Sequence, residues 1–265
     1  MRLHGVDFSG GGGGGRGKIR AVARDLDRPR APLRDLGRLD RAGLRSLILD
    51  AADDGPSLWR IDAPASVPIE VAEAHGVGDT WLEIARWMRG YEDARAWRTA
   101  LRAKSRREPR RRCDRAFATP MAPMNLRVFK QTWTFVCEIL LPLAESGRVR
   151  IEPVHPGNAA TTVVEGCPAA VLASKGWPRR GYKGRGDGPR EVREEILRLV
   201  GEAGVVAAGL AVGLAGGLGS LGGFAIPWLT GRLANATDLP MALTSLGAWL
   251  AALVFASAFV ARRRR

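Results

Sequence analysis

The chain has 265 residues, with 41 Lys and Arg against 27 Asp and Glu and a formal charge of +14 at pH 7. That length holds one large domain, or a medium domain with an appendage, and the charge favours contact with a polyanion, either nucleic acid or an anionic lipid surface. Cys113, Cys137 and Cys167 stand far apart with no CxxC, which indicates neither a zinc ribbon nor a disulfide framework, and His4, His75 and His155 are too few for a histidine-built metal site.

In chain order, Leu3–Ser9 alternates and reads as a strand, Gly10–Gly17 as a turn, and Lys18–Ala23 as the returning strand of a hairpin. Asp40–Ala51 carries Leu44, Leu47, Ile48 and Ala51 on one helical face. Ser57–Asp62 is a short buried strand stopped by Pro64. Thr80–Arg102 reads as a helix with Trp81, Ile84, Ala85 and Met88 on one side, and Asn125–Glu145 as an amphipathic helix bearing Leu126, Phe129, Trp133, Val136, Leu140 and Leu143. Arg148–Val154 and Thr161–Glu165 read as strands, and Pro189 opens a helix to about Glu202. Strands first, then helices and strands in alternation, predict a mixed α/β domain.

After Gly201 the charges are five Arg against Glu202 and Asp238, leaving about +11 for the front part. Much of it lies in Arg102–Arg115, which reads either as a solvated loop or as a phosphate-tracking loop beside an active site. The run from Gly12 to Gly17-Lys18 matches G-x-x-x-x-G-K, but Ile19 stands where a phosphate loop needs Ser or Thr, and Lys18 opens a strand, so an elongated hairpin turn is the better reading.

Three carboxylates stand at strand ends: Asp7 in GVDFSG, Asp62 in WRIDAPASVP and Glu165 in TVVEGCPAA. Gathered at one sheet edge they could hold Mg²⁺ or Mn²⁺, since hard cations favour oxygen ligands, and one or two such ions can activate water for phosphodiester hydrolysis. By spacing alone each could equally be a turn residue.

The order GVDFSG, a basic hairpin, IDAPASVP, RRCDR before MAP, VVEGCPAA, then YKG and REVREEIL resembles the bacterial and archaeal domain-of-unknown-function family numbered 429, over roughly residues 1–200. The resemblance implies a ribonuclease H-like fold, a mixed sheet with flanking helices, and a predicted nuclease activity dependent on Mg²⁺ or Mn²⁺. It assigns catalytic and metal-binding roles to Asp7, Asp62 and Glu165, and phosphate contact to Arg115 and, more weakly, Lys183. The chain departs from the family at its end, where no acid followed by small apolar residues stands after Glu202.

Ala203–Thr230 and Leu239–Val260 contain no Asp, Glu, Lys, Arg or His. Each is long enough to cross a hydrocarbon core of about 30 Å. Glycines at spacings of three and four suit close helix packing, so residues 203–260 read as a membrane hairpin, with Arg262–Arg265 and residues 1–202 on the cytoplasmic side. Gly219-Ser220-Leu221-Gly222-Gly223-Phe224, with Pro227, Gly231 and Ala236-Thr237, also resembles the last helix pair of a major facilitator superfamily transporter. Two helices cannot build alternating access. The leading expectation is therefore a membrane-tethered, metal-dependent nuclease acting on nucleic acid. The alternatives are a catalytically dead nucleic-acid or partner-binding module on the same anchor, or a fused transporter remnant.

Overall fold

The computed structural model describes residues 1–27, 34–119, 121–182 and 186–202. Lys183 and both uncharged segments of the expected hairpin lie outside the described residues, among which no helix is long and apolar enough to cross a membrane.

The architecture is α/β, a six-stranded mixed sheet with flanking helices. Strands β1 (Arg2–Asp7), β2 (Ile19–Asp25) and β3 (Arg34–Leu39) form an antiparallel meander, while β4 (Ser57–Asp62), β5 (Val149–Glu152) and β6 (Thr161–Glu165) run parallel to β1 in the order β3-β2-β1-β4-β6-β5. Alternation sorts the side chains. Val6, Ile19, Ala21, Trp59, Ile61 and Val163 are buried in one cluster with Leu44 and Ile48 of α1 (Arg41–Asp53). The opposite face carries Arg20 of β2, Asp7 of β1, Arg60 and Asp62 of β4 and Arg150 of β5, following the strand register.

The expected helix over Thr80–Arg102 is two helices, α3 (Trp81–Arg89) and α4 (Ala94–Lys104), after the short α2 (Ile69–Ala74). Glycine at position 90 ends α3, and the Asp93 carboxylate starts α4 by accepting from the Arg95 and Ala96 N–H groups. The helix expected from Asn125 begins at Phe129, so Leu126 falls outside its apolar face and is 66% exposed. It runs as α6 (Phe129–Thr134), a π-helical segment Phe135–Leu140, and α7 (Leu141–Glu145). Pro142 supplies a cause: it has no N–H for the carbonyl of Glu138 four residues back, and the Arg45 guanidinium donates to that oxygen instead, at 3.1 Å.

Near the start of β1, His4 is 4% exposed, stacks on Trp59 with ring centroids 3.7 Å apart, and has no hydrogen-bond partner for either ring nitrogen among the described residues. Burial, assisted by Arg2 and Arg34, lowers its pKa from 6.5 to about 4. Between those values the unfolded chain takes up a proton that the folded chain refuses, so stability falls as pH drops from 6.5 towards 4. The loss is expected to approach about 3 kcal/mol at the acid end. Denaturant midpoints at pH 7 and 4.5 should show it, and His4→Phe, which keeps the stack, should flatten the difference.

Candidate carboxylate site at the strand ends

β1 and β4 are parallel neighbours, and Asp7 is in register with Asp62. Registered residues on adjacent parallel strands share a face, with backbones about 4.8 Å apart. The two residues therefore stand in register on one face at the carboxyl ends of the strands. Beyond them the chain turns to β2 on one side, while β6 lies on the other. Asp7 is exposed and its carboxylate has neither a hydrogen bond nor an ion pair among the described residues. Asp62 is half-buried beside Arg60, whose guanidinium is pulled down by burial and back up by Cys167 and Asp62. Arg60 lies across Gly166, where an added Cβ would come within 2.8 Å of Arg60 Cγ.

A polar staple holds the two strand ends together. The Gln131 side-chain amide, on α6, donates to the carbonyl of Phe8 at 3.1 Å and to that of Asp62 at 2.5 Å. Gly10 lets the chain leaving β1 pass against the same helix: an ideal Cβ there would lie 2.3 Å from the Gln131 nitrogen, an atom that cannot swing away. Gly10→Ala is therefore expected to cost about 1–3 kcal/mol through overpacking. Gly5→Ala, whose Cβ would meet only Val22 at 3.6 Å, should be nearly neutral in the same urea titration.

Glu165 is set apart from this pair. It is in register with Ile61, on the face opposite Asp62. Its carboxylate accepts from the Ala65 N–H at 2.8 Å and from both terminal nitrogens of Arg111 at 2.6 Å each. Arg111 opens α5 (Arg112–Ala116), is 8% exposed, and also clamps Asp114, 2% exposed, through Nε at 3.0 Å and Nη2 at 2.8 Å. Burial by itself would lower the Arg111 pKa, but Glu165 and Asp114 raise it well above its ordinary value. This carboxylate–guanidinium–carboxylate sandwich ties β6 to the turn after Asp62. Burial also pushes up the thiols of Cys113 and Cys167 nearby, so neither is poised as a thiolate nucleophile.

The structure thus sets Asp7 and Asp62 in register on one face and gives Glu165 to Arg111. Among the described residues no group of three or more His, Cys, Asp or Glu side chains is placed to hold one metal ion. Arg115 is exposed and donates to the Arg110 carbonyl at 2.8 Å, while Lys183 is outside the described residues. Sequence reasoning passed over Arg111, Arg60 and Gln131. For Arg111 a signal existed, the Arg–Asp spacing of three in RRCD, which suits a pair on one helical turn.

Asp7 and Asp62 offer oxygen donors of the kind Mg²⁺ or Mn²⁺ takes, since magnesium keeps several waters and commonly takes only one or two protein carboxylates. The fold defines an α/β protein with two acids in register at the ends of adjacent parallel strands. No protein-family model, no curated protein and no solved structure matches the chain.

Proposed function

We propose that this protein is a divalent-metal-dependent nuclease, with a ribonuclease H-like fold over residues 1–202 and a membrane anchor in residues 203–260. The observation that carries the reading is the registered Asp7–Asp62 pair at the carboxyl ends of adjacent parallel strands. The antiparallel meander leading into a parallel β4 and the basic front part agree with it, as does the resemblance to family 429.

Asp7 and Asp62 would hold Mg²⁺ or Mn²⁺, which when bound supplies an activated water and charge stabilisation at the phosphate. Arg60 sets the charge beside Asp62, and Gln131 keeps the two strand ends at a constant separation. Glu165 acts as a positioning residue, fixing the backbone at Ala65 behind Asp62. The test is cleavage of single- and double-stranded RNA and DNA by the whole chain with Mg²⁺ or Mn²⁺, against the same mixture with EDTA. Metal-dependent cleavage is expected. Salt-sensitive binding with no cleavage of any of the four substrates would support the catalytically dead module instead.

A further inference from the structure

Eight cations and two carboxylates fall between Arg102 and Arg115. Both acids are taken. Glu108 sits between Arg98 at 3.3 Å and Arg102 at 3.6 Å and accepts from Asn125 at 2.8 Å, and Asp114 is clamped by Arg111. Three of the cations, Arg106, Arg107 and Arg112, are exposed and their guanidinium groups have no partner among the described residues. The segment is held at both ends. It leaves α4 with the Arg102 guanidinium donating to the Arg106 carbonyl at 2.8 Å, and towards its other end Arg111 is bonded to Glu165 at the end of β6.

We infer that Arg106, Arg107 and Arg112 form a phosphate track that seats the backbone of a polynucleotide. This deepens the nuclease reading, and rests on it, by naming the substrate class as a polymer rather than a mononucleotide or small phosphodiester. Residues 102–115 contain no Phe, Trp or Tyr, so the track has no surface for base stacking and reads phosphate charge alone. Nor does the segment expose a large apolar side chain for insertion among lipid headgroups, which favours nucleic acid over a membrane surface as the occupant.

The experiment is fluorescence-anisotropy binding of labelled oligo-dT and of a mixed-sequence RNA of equal length to the whole chain, in EDTA across a salt series. Because binding is read without metal, it stands or falls separately from cleavage. Both oligomers should bind with similar affinity. The triple variant Arg106→Gln, Arg107→Gln, Arg112→Gln should bind about 100-fold more weakly at 0.1 M salt, with the slope of log K against log salt reduced by about 2. A control triple at exposed arginines elsewhere, Arg16→Gln, Arg38→Gln and Arg179→Gln, should lose much less. Equal losses in the two triples would reduce the effect to net charge and overturn the track. So would a first triple that binds nucleic acid normally but no longer binds phosphatidylserine vesicles.

Discussion

A chain carrying Asp7→Asn is expected to lose two to three orders of magnitude in metal-dependent cleavage, about 3–4 kcal/mol in the barrier, while keeping its fold. The side chain is exposed and makes no hydrogen bond or ion pair among the described residues, so the near-isosteric amide should leave stability within about 0.5 kcal/mol. What changes is charge, because an amide cannot hold a divalent ion as a carboxylate does. Asp62→Asn should act similarly, and the double variant should be little worse than either single one, since groups that serve as a unit are lost together. Single-turnover cleavage rates with Mn²⁺, beside thermal melts of the same preparations, make the comparison. Undiminished metal-dependent cleavage by folded Asp7→Asn would remove the carboxylate pair from the reaction.

Arg111→Ala is expected to destabilise the protein by about 3–5 kcal/mol, the usual consequence of leaving a buried charge unpaired. Asp114 is 2% exposed and Glu165 is half-buried, and both would lose a guanidinium that neutralises them simultaneously. Arg111→Lys should recover only part of the loss, since one ammonium cannot fork towards two carboxylates. Adding Glu165→Gln to Arg111→Ala should return some stability by removing one orphaned charge, a coupling that a double-mutant cycle in urea isolates. Additive effects of the two substitutions would mean that the sandwich is not an energetic unit.

Much of this fold was legible residue by residue. Ser57–Asp62 and Thr161–Glu165 were bounded correctly because apolar runs end there at Asp-Ala-Pro and Glu-Gly-Cys-Pro, where a strand has nothing to continue with. β3 escaped because three of its six residues, Arg34, Asp35 and Arg38, are charged, and edge position lets all three reach solvent without disturbing the ladder. The short helices α2, α5 and α8 (Pro168–Ser174) are too brief for a helical period to show. The break between α3 and α4 was overlooked because the apolar stripes on either side nearly continue one another, through Met88 to Trp97.

The candidate site divides along the same physical line. Sequence alone located three acids at the ends of three strands, and named the basic segment Arg102–Arg115, because polarity and chain punctuation are local properties. It could not say which acids meet. Four of the five residues of β6 are buried, so its apolar run carries no alternation to tell which face Glu165 takes. Only the pairing of β6 with β4, set by contacts about a hundred residues apart, puts Glu165 behind the sheet from Asp62 and within reach of Arg111. The same long-range register aligns Asp7 with Asp62 on the other face.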